Sequence, residues 1–224
     1  MTAVVLSARV PQPSATAIAT AAYDRSHHAV LEVAGCLGFA ASAPLAIWTA
    51  TAYRRLLTLG VTAPGAVIAL AGGLLAAASL GLSGLITWTS SQAGAADPAA
   101  ARVLADLSFA TGAAGFVVPL ALLLAGVAVP SLILGLVPRP LAWAGLVIAA
   151  IGVLSTFALL TPALDATLPV GRFGGLLWLI AASIALPRTR RAARTHAPAP
   201  SPAPARSTQA QASPTDTGQV ELEA

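Results

Sequence analysis

Three ionisable residues sit where charge is costly. Glu32, Asp106 and Arg172 each fall in the first turn or two of a long apolar run. At the centre of a membrane helix a charge costs about 2.5 to 3.5 kcal/mol, so one that persists there is paired or functional by default. Near a helix end the cost is smaller, and Arg can extend its long stem toward water. Asp165 lies just ahead of the last run, and Ser83, Thr87, Ser108, Thr111, Ser155 and Thr156 fall at similar depth. Glu32, Asp106, Asp165 and Arg172 are therefore the candidate polar cluster. Two arrangements fit it. One is a polar vestibule opening at that end of a bundle. The other, blander and preferred, is an interfacial ion pair with the hydroxyls bonded back to their own helices.

Arg172 separates the two. The uncharged stretch after it, Phe173 to Pro187, is fifteen residues. As helix that is roughly 22 Å, short of the ~30 Å apolar core of a bilayer. The turn carrying Arg172 is thus drawn into the membrane boundary. Because Arg stays protonated, a carboxylate from Asp106, Glu32 or Asp165 is expected within salt-bridge reach.

Other chemistry is scarce. There is no G-x-S-x-G, H-E-x-x-H, C-x-x-C or phosphate-binding loop. Gly81-Leu82-Ser83-Gly84 misses a nucleophile elbow by one position. His27, His28 and Glu32 share a helical turn, but two solvent-facing histidines ahead of a membrane helix is the preferred reading. No metal, cofactor or enzymatic activity is expected. Cys36 is the single cysteine, so an internal disulfide is excluded.

The elements that must position these groups are apolar helices. Hydrophobic residues make up 57% of the 224-residue chain and charged residues 9%, against about 25% charged in soluble domains. Mean hydropathy is +0.81. The run from Leu107 to Pro138 holds no ionisable side chain and is bracketed by Asp106 and Arg139. An all-α, polytopic membrane bundle is expected, with five spans near 30–53, 64–88, 105–137, 141–160 and 169–186. Pro119 and Pro130 should kink the third. Residues 1–28 read as a loose N-terminal arm without a cleaved signal, 29–187 as the bundle, and 188–224 as a basic, then Pro/Ala-rich, disordered tail.

Small residues recur every four positions in the first two spans: Ala34, Gly38, Ser42, Ala46, Ala50, then Gly65, Ala69, Gly73, Ala77, Gly81. Gly38, Gly73 and Gly81 are read as helix-packing positions of a tight hairpin. All twelve basic residues are Arg, and no basic patch with interleaved aromatics appears, which argues against nucleic acid. Instead Arg54-Arg55, Arg139 and the cluster Arg188, Arg190, Arg191, Arg194 fall on one side of a five-span chain, with Asp24, Asp97 and Asp165 on the other and Arg25 and Arg102 as exceptions. The positive-inside rule then places the N-terminus outside and the C-terminus in the cytoplasm. Gly65-x-Val67-Ile68-Ala69-x-x-Gly72 and Gly145-x-Val147-Ile148-Ala149-x-x-Gly152 hint at a parallel internal repeat.

Pro138-Arg139-Pro140-Leu141-Ala142-Trp143-Ala144-Gly145, with Asp106 and Phe109 opening the preceding helix, resembles a family of multi-pass membrane proteins of high-GC bacteria whose domain has no assigned function. The resemblance covers roughly residues 30–188. It implies a bacterial plasma-membrane protein, tends toward six spans where this chain shows five, and carries no catalytic residues to transfer. The expected function is a non-enzymatic scaffold, sensor or partner in the lipid bilayer, with a second copy or another membrane protein as partner. The alternative is a small permease using the polar cluster.

Overall fold

A computed structural model describes residues 16–61, 64–93, 97–159 and 167–186. The described residues form an all-α bundle without strands. In chain order the helices are α1 (Ala17–Thr58), α2 (Gly65–Ala93), α3 (Pro98–Gly112), α4 (Ala114–Ile133), α5 (Arg139–Leu154) with a 3-10 turn at Ser155–Leu159, and α6 (Thr167–Ala185). With α3 and α4 counted as one broken span, five helical spans are long and apolar enough to cross a membrane.

The most apolar helix, α4, holds the centre. It packs against α2, α5 and α6, while α1 lies along α2 and α3 leans on α1, α2 and α4. Phe116, Val117, Leu120, Leu123, Leu124 and Val127 on α4 are almost fully buried. Around the outside, large aliphatic side chains such as Ile47, Val67, Ile133, Leu177 and Ile184 are exposed. An apolar exterior of this kind suits hydrocarbon, where every backbone polar group must be satisfied within the helix.

The α1–α2 hairpin is tight, but its seam differs from the expected stripe. On α1 the inward positions are Gly35, Gly38, Ser42, Leu45, Thr49, Ala52 and Leu56, while Ala34 and Ala50 are exposed. A strict step of four turns about 40° too far each time, so it walks off the face. Alternating steps of three and four stay on it, as in a coiled-coil seam. The α2 stripe divides for the same reason. Gly73 lies against Thr49, and Gly81 against Ser42 of α1. Gly65 and Ala69 instead meet Gly126 of α4.

At one end of the bundle α1 and α4 stop in the same way. Gly60 and Gly135 take φ of 90° and 62°. The next residue's N–H reaches back five positions, Val61 to Leu56 O and Leu136 to Ser131 O, each at 2.9 to 3.1 Å. Glycine adopts this left-handed turn without a Cβ penalty. This is the capped end of the bundle.

Three boundaries depart from expectation. Residues 17–28, expected as part of a loose, partly helical arm, are continuous with the first helix. Thr16 caps them by accepting from Ala19 N–H, and Thr20, Ala21 and Asp24 are buried. The resulting 42-residue α1 is about 63 Å long, roughly twice a bilayer core, and bends at His27 (φ −124°, ψ 19°). The third span starts at Pro98, where Asp97 caps by accepting from Ala99 N–H at 2.9 Å. Its break falls at Ala113 (φ −95°, ψ −93°), while Pro119 and Pro130 sit inside a continuous α4. The tail from 188 on lies outside the described residues.

The two segments of the suspected repeat meet different surroundings. Gly65 lies on Gly126 and Pro130, whereas Gly145 lies under the indole of Trp178 in α6. The Trp178 Nε1–H also donates to Leu141 O at 2.7 Å. The Pro-Arg-Pro-Leu-Ala-Trp-Ala-Gly segment thus makes a seat for a tryptophan from the neighbouring helix.

Candidate functional site: a polar cavity at the end opposite the caps

Away from the capped end, the start of α6 and the paired α1 and α2 do not close on each other. The space between them is a cavity of about 680 Å³ lined from α1, α2, α3, α4 and α6. At the capped end α1 and α6 do meet. There Trp48 Nε1–H donates to Ser183 Oγ at 2.7 Å, and the Arg55 guanidinium donates to Leu186 O.

The cavity wall is mostly aliphatic and aromatic, with polar groups set into it. Leu31, Leu104, Phe109, Val117 and Phe173 supply apolar surface. Ser83, Thr87 and Ser108 form a hydroxyl group bridging α2 and α3. Ser83 Oγ donates to Ser108 O at 3.1 Å, and Thr87 Oγ1 lies 2.8 Å from Ser108 Oγ. By contrast, Thr111, Ser155 and Thr156 bond back to carbonyls of their own chain three or four residues earlier. Thr87 does both, since its Oγ1 also lies within hydrogen-bond distance, 2.8 Å, of Ser83 O on its own helix.

Arg172 and Asp106 both line the cavity, but they are not an ion pair. Asp106 pairs with Arg102 one turn earlier, at 2.9 Å. Arg172 points to the α3–α4 break, where it donates to Gly112 O at 3.3 Å and lies over the Phe116 ring at 5.2 Å. The break explains the first contact. Phe116 N–H bonds Ala113 O, not Gly112 O, so the Gly112 carbonyl lacks its helical donor and the guanidinium supplies one. Backbone irregularity inside a membrane needs such a substitute. Among the described residues no carboxylate pairs with Arg172, which corrects the expected ion pair for Asp106 and Glu32. Asp165 lies outside the described residues.

Glu32 is half-exposed and is not part of the cavity wall. It lies one residue past Leu31, and one residue turns the helix by about 100°. His27 stacks on Tyr23 with ring centroids 4.3 Å apart, and its Nδ1 lies 2.8 Å from Ser26 Oγ. No metal-holding group of His, Cys, Asp or Glu occurs among the described residues.

Asp24 was missed. It is 5% exposed, lines the cavity and accepts from Ser90 Oγ at 2.8 Å. A signal for it exists. Asp24, Leu31, Gly38, Leu45 and Ala52 are spaced by seven, so the α1 seam, carried back one repeat past Leu31, lands on Asp24. No protein-family model, curated protein or solved structure matches this chain.

Proposed function

We propose that this is a non-enzymatic integral membrane protein of the bacterial plasma membrane that binds a small molecule or lipid in this cavity, as a sensor or ligand-dependent partner. The cavity itself carries the reading. It has the size of a ligand site, about 680 Å³, and a mostly apolar wall with a few placed polar groups, as such sites usually have. The Arg-rich segments support an orientation with the cavity end outside and the capped end cytoplasmic. Membership of the high-GC bacterial family rests on Pro138–Gly145, Asp106 and Phe109 alone.

A small permease is the alternative. It needs a water path past Leu120, Leu123 and Leu124, which are at most 1% exposed in the core. Their packing supports binding over passage. The test is native mass spectrometry of the full chain released from a neutral detergent, beside Ala105→Phe, which fills the cavity. A small molecule or lipid retained by the wild type and lost from Ala105→Phe supports the reading. Identical spectra from the two proteins refute it.

A further inference from the structure

The charges around the cavity are not equally satisfied. Asp106 has the Arg102 cation at 2.9 Å, whereas Asp24 is held among the described residues by the neutral Ser90 hydroxyl at 2.8 Å. Arg172 has only neutral described partners, a backbone carbonyl and an aromatic face. A guanidinium carries five N–H donors in a fixed fork that matches carboxylate and phosphate. One of them serves Gly112 O. A half-buried cation with neutral partners retains much of its desolvation cost, and an anion in good hydrogen-bonding geometry offsets part of it. The first turn of α6 lines the same cavity through Leu168 and Pro169, and the positive end of a helix dipole adds to the preference for negative charge. Leu31, Leu104 and Phe173 line the same cavity and carry no hydrogen-bonding side-chain group.

Resting on the binding role proposed above, we propose the ligand class: an amphiphile whose carboxylate or phosphate sits on the Arg172 guanidinium and whose hydrocarbon lies along Leu31, Leu104 and Phe173. Asp106, paired with Arg102, and Asp24, held by the neutral Ser90 hydroxyl, already place carboxylates on the wall, which limits the ligand to one negative group. A lipid headgroup and a free anion share the headgroup chemistry, and only the first uses the apolar wall.

The test uses the full chain in phosphatidylcholine nanodiscs, with empty discs subtracted, and three probes: dodecanoate, dodecanol and inorganic phosphate. Dodecanoate should bind saturably and about tenfold tighter than dodecanol, the difference expected for a charge-assisted contact. Inorganic phosphate should compete only weakly. Arg172→Gln should abolish the preference for dodecanoate, and Arg172→Lys should restore part of it. Equal binding of dodecanoate and dodecanol overturns the anionic headgroup while leaving the cavity as a binding site. Displacement by phosphate at matching concentration overturns the role of the tail. A preference that survives in folded Arg172→Gln removes the anion from Arg172. Absence of saturable binding by all three probes overturns both this assignment and the binding role. If Arg172→Gln does not fold, the three probes on the wild type still decide between anionic amphiphile, neutral amphiphile and free anion.

Discussion

The Arg172 guanidinium donates to the Gly112 carbonyl at 3.3 Å, across the break between α3 and α4. One side chain therefore mends a helix defect and brings a positive charge to the cavity wall. The defect and the charge depend on each other. Without the break the carbonyl would be spent on Phe116 N–H, and without Arg172 it would lack its donor in an apolar setting.

Arg172→Leu should lower stability by about 1 to 3 kcal/mol, the cost of leaving a buried carbonyl unsatisfied. Arg172→Lys keeps a donor and should lose less. Unfolding in mixed micelles by a denaturing detergent measures both. Equal stability of Arg172→Leu and wild type would mean that Gly112 O is satisfied without Arg172.

Two glycines on the α1–α2 seam should respond unequally to one added methyl. A Cβ on Gly84 would press into the backbone N of Phe39, and the Gly38 backbone is close behind. A Cβ on Gly38 would meet the Gly84 Cα at 3.4 Å, an ordinary contact. Gly84→Ala should therefore cost about 1 to 3 kcal/mol through forced backbone shifts, and Gly38→Ala close to nothing. The same unfolding assay ranks them, and a larger loss from Gly38→Ala would contradict the seam.

Ser90→Ala should destabilise by about 1.5 to 3 kcal/mol, since it removes the described donor to a buried carboxylate. In an Asp24→Ala background the same change should cost much less. That difference is the coupling a double-mutant cycle isolates. Additive losses would show that the 2.8 Å contact contributes no net stability.

The proposed orientation is checked with single cysteines at Gln92 and Thr58, both exposed and at opposite ends of the bundle, in a Cys36→Ala background. Gln92→Cys should react with an impermeant thiol reagent on intact cells, and Thr58→Cys only after lysis. The reverse pattern would invert the topology and place the cavity on the cytoplasmic side.

The sequence alone determined the all-α class, the five spans and the position of Arg172 at an apolar boundary. These follow from local quantities: runs of apolar residues, their length against a bilayer, and the charges at their ends. Cap residues such as Asp97 also act through neighbours three or fewer positions away. What the tertiary structure decided was which groups meet. The break at Ala113 carries no proline, and the two prolines that suggested kinks lie within a continuous α4. Arg172 took a carbonyl 60 residues away rather than a carboxylate, and Asp106 was claimed by Arg102 four residues earlier. Asp24 became part of the cavity only because α1 runs on past the expected span and sets its seam against Ser90, 66 residues later. Hydropathy places each group along the membrane normal; which face of its helix a group occupies, and which neighbour stands there, is settled only when the helices pack.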